Sequence, residues 1–178
     1  MPHPRAPSPV DAYDRPMAIQ GFSHVGVCVS DLEVSTRFYC DVLGFRELFT
    51  MEMGDEVAAT MEQAPGLRFT SRMLARPDVR IELLQWHEPT ATGDGQRRAM
   101  TGLGFTHLCI RVDDVDELSA KAVAAGGAVH RETRSVLPGV GDAGADVGLM
   151  YLTDPDGTRI ECMSGTPDLS AFSPEDGR

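Results

Sequence analysis

The sequence contains the same unit twice, and both copies carry a histidine and a glutamate at matching positions. The first copy begins Gly-Phe-Ser-His-Val-Gly-Val at 21–27, and the second begins Gly-Phe-Thr-His-Leu-Cys-Ile at 104–110. Each copy ends on a second match, Arg-Ile-Glu-Leu at 80–83 and Arg-Ile-Glu-Cys at 159–162. Such a duplication predicts two similar modules. It also allows two imidazoles and two carboxylates to meet at one point, and that ligand set suits a divalent metal.

Length and charge limit the classes of function that this chain can have. Its 178 residues fit one domain or two small modules that share a core. The net charge of −11 argues against binding to nucleic acid or to an anionic membrane surface. We find no apolar run near the roughly 20 residues of a membrane span, and no signal-peptide core. The charge does not exclude an anionic small-molecule substrate. With four cysteines and no C-x-x-C pair, we expect reduced thiols and a cytoplasmic protein.

Composition divides the chain into two modules, a linker and two tails. Residues 1–18 contain five prolines and predict a disordered tail, and 165–178 predict a second, polar tail. The first module is expected at 19–90, the linker at 91–103 and the second module at 104–164.

Both modules predict the element order β-α-β-β-β. In the first module, Ser30 and Glu33 resemble a capping box, and Gly44 can end the helix that follows. The predicted strands there are 21–29, 45–53, 67–75 and 79–86. In the second module, Asp114 and Glu117 open a helix over about 114–125, between strands predicted at 104–112, 128–134, 147–153 and 158–163. The sequence Asp-Pro-Asp-Gly at 154–157 predicts a hairpin turn, and the glycine-rich stretch 135–148 predicts a flexible loop. The fold class is α+β, with the two tandem modules forming a cupped sheet around a metal site.

Alternation along the strands places the histidines and glutamates on the face away from the helices. Valines 25, 27 and 29 share one face of the first strand, so His24 lies on the other. The same alternation separates His107 from the apolar positions 108, 110 and 112. The predicted metal ligands are His24, Glu82, His107 and Glu161. They leave open positions for water or substrate, and they favour Ni²⁺, Zn²⁺, Co²⁺, Fe²⁺ or Mn²⁺ over a cysteine-rich structural zinc site.

These residues resemble the vicinal oxygen chelate superfamily, which includes glyoxalase I, methylmalonyl-CoA epimerase, extradiol dioxygenases and the fosfomycin- and bleomycin-resistance proteins. The matching stretches are His-Val-Gly-Val at 24–27, Val-Leu-Gly-Phe at 42–45, Phe-Thr-His-Leu at 105–108 and Asp-Pro-Asp-Gly-Thr-Arg-Ile-Glu at 154–161. The resemblance implies paired modules around one divalent metal ion, and commonly a homodimer. It leaves open whether the site lies within one chain or across a dimer.

The complete His-Glu-His-Glu set looks most like glyoxalase I, so the resemblance implies an isomerase or lyase. Glu161 would be the catalytic base and Glu82 its partner, with the metal stabilising an enolate. One departure concerns the substrate. Glutathione-dependent members carry Arg and Asn where this chain has Cys28 and Trp86, so we expect a substrate other than the glutathione hemithioacetal. Trp86 and Met163 would form an apolar substrate wall beside Cys28, and Arg111 would bind an anionic group.

Three alternatives remain open at the level of sequence. A methylmalonyl-CoA-type epimerase would use the same enolate chemistry. An extradiol-type Fe(II) dioxygenase would use only the positions of His24, His107 and Glu161 as metal ligands. A drug-binding resistance protein would need no catalysis, although such proteins typically lack the metal ligands.

Overall fold

The structure is a computed structural model that describes residues 21–166. The predicted tail at 1–18 lies outside these residues, as does nearly all of the tail at 165–178. Within the described part, eight strands form two four-stranded sheets, so the predicted α+β class is confirmed. None of the helices described is long and apolar enough to cross a bilayer.

The first module follows the predicted order of elements. It consists of β1 (Val25–Val29), α1 (Leu32–Arg37) continued by a π-helical turn (Phe38–Val42), β2 (Arg46–Met53), β3 (Arg68–Ala75) and β4 (Arg80–Glu88). The sheet order is β1-β4-β3-β2, and β1 runs parallel to β4.

The predicted capping box at the start of α1 is wrong. The N-cap is Asp31, whose carboxylate accepts a hydrogen bond from the backbone amide of Val34. The amide of Ser30 instead donates to the carboxylate of Asp156 in the second module. An aspartate is as good an N-cap as a serine, and here the serine amide is used in the contact between modules.

The second module repeats the arrangement. It consists of β5 (Leu108–Arg111), α2 (Val115–Ala124), β6 (Ala128–Leu137), β7 (Val147–Thr153) and β8 (Arg159–Ser164), with the sheet order β5-β8-β7-β6. Asp114 caps α2 as predicted, through the amides of Asp116 and Glu117. The predicted hairpin turn forms, with Gly157 at a φ of 84° that few other residues adopt. Strand β6 is longer than predicted, so part of the expected loop at 135–148 is regular structure.

The two modules share one apolar core on the helix side of both sheets. Fully buried side chains from both modules contribute to it, among them Val29, Phe38, Leu83, Ala122, Leu152 and Ile160. A buried hydrogen bond of 3.0 Å from the Tyr39 hydroxyl to Asp154 Oδ2 joins the first helix to the turn between β7 and β8. The modules are therefore joined through their helices and this turn, which leaves the opposite face of each sheet for a site.

Candidate metal centre

The first predicted ligand pair forms within one sheet. His24 stands directly before β1, and Gly26 two residues later lies in register with Glu82 on the parallel strand β4. The two side chains therefore point to the same face, and Nε2 of His24 lies 3.2 Å from Oε2 of Glu82. Both side chains are partly exposed, at 35% and 19%. An incoming ion can reach them.

The second pair repeats this geometry in the other sheet. His107 stands directly before β5, and Cys109 lies in register with Glu161 on β8. Nε2 of His107 lies 3.1 Å from Oε2 of Glu161. The duplication in the sequence thus produces the same pair of atoms at nearly the same separation in both modules.

The separation within each pair fits two neighbouring ligands of one metal ion. Imidazole nitrogens and carboxylate oxygens bind zinc at about 2.0–2.2 Å, so two such ligands at right angles are about 3.0 Å apart. The measured 3.2 and 3.1 Å agree with this value. Each module therefore presents two of the four predicted ligands.

Within residues 21–166, the four predicted ligands do not meet in a single chain. Among residues 21–166, no group of three or more His, Cys, Asp or Glu side chains is arranged to hold a metal ion. The modules pack through their helices, so the two pairs remain on separate sheets. The sequence left open a site within one chain or a site across a dimer. The described residues do not form the site within one chain.

The carboxylate of Glu82 is held by a buried serine that the sequence did not indicate. The hydroxyl of Ser71, on β3, donates a hydrogen bond of 2.5 Å to Oε1 of Glu82. Ser71 is only 1% exposed, so water competes little for this hydroxyl. One oxygen of Glu82 is thereby fixed while the other faces His24.

The surroundings of Glu161 are different. Tyr151 lies directly across from it on β7, and the tyrosine ring packs edge-on against His107 with centroids 5.8 Å apart. The guanidinium of Arg159 stands 5.5 Å from the centre of the same ring. Cys109 is exposed as a residue, but partial burial of its thiol and the nearby charge of Glu161 raise its pKa to about 12. Glu161 thus borders a phenol and a protonated thiol.

Each histidine has a hydroxyl neighbour at its other ring nitrogen. Ser23 Oγ lies 2.9 Å from Nδ1 of His24, and Thr106 Oγ1 lies 2.9 Å from Nδ1 of His107. The sequence analysis did not single out these two residues. The signal was present, because both copies carry a hydroxyl residue directly before the histidine.

Two of the predicted substrate-binding residues lie in different surroundings. Cys28 borders a cleft of about 390 Å³ between the modules, together with Phe105 and His107. Trp86 is half-buried and stacks on Phe69 with ring centroids 5.1 Å apart, in a small apolar cluster on the first sheet. Trp86 therefore contributes to the packing of this cluster.

The other two predicted substrate-binding residues lie together on the second sheet. Arg111 is in register with Met163 across β5 and β8, at the end of the strands away from His107. Arg111 is exposed and borders a separate cleft with Asp113 and Asp142. Within one chain, Cys28 and Arg111 thus border different clefts.

The described chain thus consists of two tandem β-α-β-β-β modules, each with a His–Glu pair on the face away from its helix. The chain belongs to the Glyoxalase/Bleomycin resistance protein/Dioxygenase superfamily, whose model matches residues 21–162. This membership confirms the resemblance identified in the sequence.

Individual relatives agree with the family. A lactoylglutathione lyase of Haemophilus influenzae is 31% identical over 154 residues, covering 84% of this chain and 96% of that protein. A probable lactoylglutathione lyase of Synechocystis is 29% identical over 145 residues, covering 79% of this chain and 92% of that protein. The crystal structure of a glyoxalase family protein from Bacillus cereus matches with a TM-score of 0.71 at 18% identity, covering 86% of this chain and 99% of its own.

Proposed function

We propose that this protein is a metal-dependent isomerase or lyase of the glyoxalase type, which removes a proton from the carbon beside a carbonyl group. The observation that carries this proposal is the duplicated His–Glu pair, with 3.2 Å between its ligand atoms in one module and 3.1 Å in the other. Two imidazoles and two carboxylates suit Ni²⁺, Zn²⁺, Co²⁺, Fe²⁺ or Mn²⁺.

The complete site is proposed to form between two copies of the chain. One chain offers two half-sites on separate sheets, so a homodimer that pairs the first module of one copy with the second module of another yields two four-ligand sites. Exposed apolar side chains near both histidines support this arrangement. Phe22 is 75% exposed, Phe105 is 60% exposed and Leu103 is 95% exposed. A second copy would cover such surfaces.

The two glutamates are proposed to have different roles. The bound metal supplies Lewis-acid stabilisation of negative charge that develops on a substrate oxygen. Glu161 accepts the proton from the substrate carbon and returns it to the neighbouring carbon. Glu82, with one oxygen held by the Ser71 hydroxyl, remains in place as a ligand. His24 and His107 orient the site without taking part in proton transfer.

The proposed substrate is not the glutathione hemithioacetal, although the named relatives are lactoylglutathione lyases. Cys28 and Trp86 stand where glutathione-dependent members carry polar groups that grip the tripeptide. A half-buried indole stacked on Phe69 favours an apolar or aromatic substituent on the substrate. Arg111 is proposed to bind an anionic group, and Met163 beside it to extend the apolar wall. A cytoplasmic location is part of the same proposal.

The test begins with metal analysis of the purified protein by mass spectrometry, beside Glu82→Ala. We expect about one metal ion per chain, as two sites per symmetric dimer require, with weaker binding in the variant. Metal binding that is unaffected by Glu82→Ala would point to a three-ligand iron site and oxygen chemistry. A protein that binds no metal after reconstitution would overturn the proposal.

Substrate class is tested on the loaded enzyme with hemithioacetals of methylglyoxal. The adduct with glutathione and the adduct with a small uncharged thiol, 2-mercaptoethanol, are compared with the adduct of an aromatic thiol. We expect the glutathione adduct to be the poorest of the three. A preference for glutathione would show that Cys28 and Trp86 do not exclude it.

A further inference from the structure

The two half-sites are most alike at a contact that involves neither the metal nor the substrate. In each, the residue directly before the histidine places a hydroxyl oxygen 2.9 Å from Nδ1 of the ring. In each, Nε2 of the same ring faces the glutamate, at 3.2 Å in the first module and 3.1 Å in the second. Both nitrogens of both rings therefore have an assigned neighbour.

We propose that Ser23 and Thr106 are positioning residues that present Nε2 of each histidine to the metal. This inference rests on the proposed function, because it concerns ligands of the proposed metal site. A histidine can coordinate through Nε2 only when that nitrogen carries no proton, so the ring proton must lie on Nδ1. An oxygen at 2.9 Å from Nδ1 accepts that proton's hydrogen bond and stabilises this tautomer.

A hydroxyl differs from a carbonyl or carboxylate because it can also donate a hydrogen bond. When Nδ1 carries no proton, the hydroxyl turns and donates to it, so the ring keeps its orientation before a metal arrives. A carbonyl oxygen could serve only one of the two states. The hydroxyl thus holds the direction of Nε2 in both tautomers. The tautomer that carries its proton on Nδ1 is the one that can bind the metal through Nε2.

The position of the hydroxyl in the sequence keeps it close to the ring. Ser23 and Thr106 immediately precede their histidines in the segments that lead into β1 and β5, so hydroxyl and ring are connected by a short stretch of backbone. On the other side, the His107 ring packs against Tyr151. The His24 ring is the more exposed of the two, at 35% against 26%. We therefore expect Ser23 to matter at least as much as Thr106.

The experiment measures divalent metal affinity of the dialysed, reconstituted full chain by competition with a chromophoric chelator. Ser23→Ala and Thr106→Val remove the hydroxyls, and Ser23→Thr and Thr106→Ser retain them. We expect each removal to weaken binding by about 10-fold, the lower end of the range for groups that orient a metal-bound histidine. Ser23→Thr and Thr106→Ser, which retain the hydroxyl, should bind metal with nearly wild-type affinity. Thr101→Val, an exposed threonine in the linker, controls for hydroxyl loss in general.

Nitrogen NMR of the histidine rings gives a second measurement that does not depend on affinity. In the metal-loaded wild type, the proton of His24 and His107 should lie on Nδ1. If Thr106→Val folds poorly, Thr106→Ser and the NMR measurement still test the second module.

Three outcomes would overturn the inference. The first is an unchanged affinity in both hydroxyl-free variants. The second is an affinity in Ser23→Thr as low as in Ser23→Ala. The third is an Nε2-bound proton in the loaded wild type. A wild-type protein that binds no divalent metal would differ from all three, because it would overturn the proposed function itself.

Discussion

The two modules are nearly identical around their histidines and different around their glutamates. In both, a histidine precedes an edge strand, contacts a hydroxyl through Nδ1 and faces a glutamate on the parallel strand beside it. Glu82 then receives a hydrogen bond from the buried Ser71. Glu161 lies opposite Tyr151, and Met73 occupies the register position opposite Glu82.

This difference shows which part of a duplicated site must remain symmetric. In the proposed site, the metal requires the same geometry of both halves, in agreement with the 3.2 and 3.1 Å separations of the His–Glu pairs. The proposed proton transfer requires different behaviour of the two carboxylates, because Glu161 would move a proton while Glu82 would stay in place. The hydroxyl contacts to Nδ1 are the same in both modules, whereas the contacts to the carboxylates differ. Among the described residues, Tyr151 adds a ring contact to His107 that His24 lacks.

The largest expected effect comes from replacing each of the two glutamates separately by glutamine. Glu161→Gln should lower turnover by roughly 10²- to 10⁴-fold, since a positioned general base contributes about that much. Glu82→Gln should mainly weaken metal binding, because its carboxylate acts as a ligand. Turnover and metal content are measured together on each variant at saturating metal. Equal losses of turnover at full metal occupancy would remove the distinction between the two glutamates.

A second prediction concerns the two histidines, which have matching hydroxyl contacts in the two modules. His24→Ala and His107→Ala should lose metal affinity to a similar extent, each by more than the roughly 10- to 100-fold that loss of an orienting group costs. The reason is that, in the proposed dimer, each site would contain one copy of each ring as a ligand. Equilibrium dialysis with metal analysis measures both variants. A variant that kept full affinity beside one that lost it would contradict a shared site.

A mixture of the two histidine variants adds a sharper test of the dimer. If each site takes its ligands from two copies, a heterodimer of His24→Ala and His107→Ala has one site lacking both histidines and one site intact. Mixing two inactive variants should therefore restore up to half of the metal sites in each heterodimer. Sites formed within single chains would gain nothing from mixing.

Much of this fold followed from local patterns in the sequence. Alternation of valines fixed the face of β1, and the repeated Arg-Ile-Glu placed each glutamate on the strand that pairs with the histidine's strand. These features depend on neighbouring residues, so periodicity reveals them. The fold class and the turn at 154–157 were predicted for the same reason.

The remaining features depend on packing between distant segments. Ser71 reaches Glu82 only because β3 and β4 pair in one register, and the start of α1 differs from prediction because Ser30 contacts Asp156. The separation of the two His–Glu pairs depends on how the modules pack through their helices. No local pattern in the sequence encodes that choice. The hydroxyls of Ser23 and Thr106 were visible in the repeat and were overlooked.

A third prediction concerns the groups around the two carboxylates. Ser71→Ala should lower the free energy of unfolding by about 1.5–3 kcal/mol, the range for a hydrogen bond to a charged group. Tyr151→Phe should cost less, about 0.5–1.5 kcal/mol, because Tyr151 is only half-buried and water can replace the lost phenol hydroxyl. Urea denaturation of the metal-free protein compares the two. A larger loss of unfolding free energy in Tyr151→Phe than in Ser71→Ala would contradict this prediction. It would show that the contact to Glu161 stabilises the fold more than the contact to Glu82.

The smallest expected effect concerns the hairpin turns, which also differ between the modules. In the first module, Arg76 donates to the carbonyl of Leu43, so the turn holds its own helix end. In the second, Asp154 accepts from the Tyr39 hydroxyl of the other module and is 2% exposed. Burial raises the pKa of Asp154, although hydrogen bonds from Thr158 and Tyr39 oppose the shift.

The raised pKa of Asp154 determines whether the stability of the fold rises or falls with pH. The folded chain holds this proton more tightly than the unfolded chain, whose aspartates titrate near about 3.9. The contribution of Asp154 to stability is therefore full below about pH 3.9 and decreases as the pH rises through the folded-state pKa. The stability of wild type relative to Asp154→Asn should fall accordingly between acid and neutral pH, as measured by urea denaturation at several pH values. Asp78→Asn, an exposed carboxylate on the first module's turn, controls for loss of one charge. A relative stability that rose with pH would show that the hydrogen bonds to Asp154 outweigh its burial, and the contact between modules would then be favoured by the ionised carboxylate.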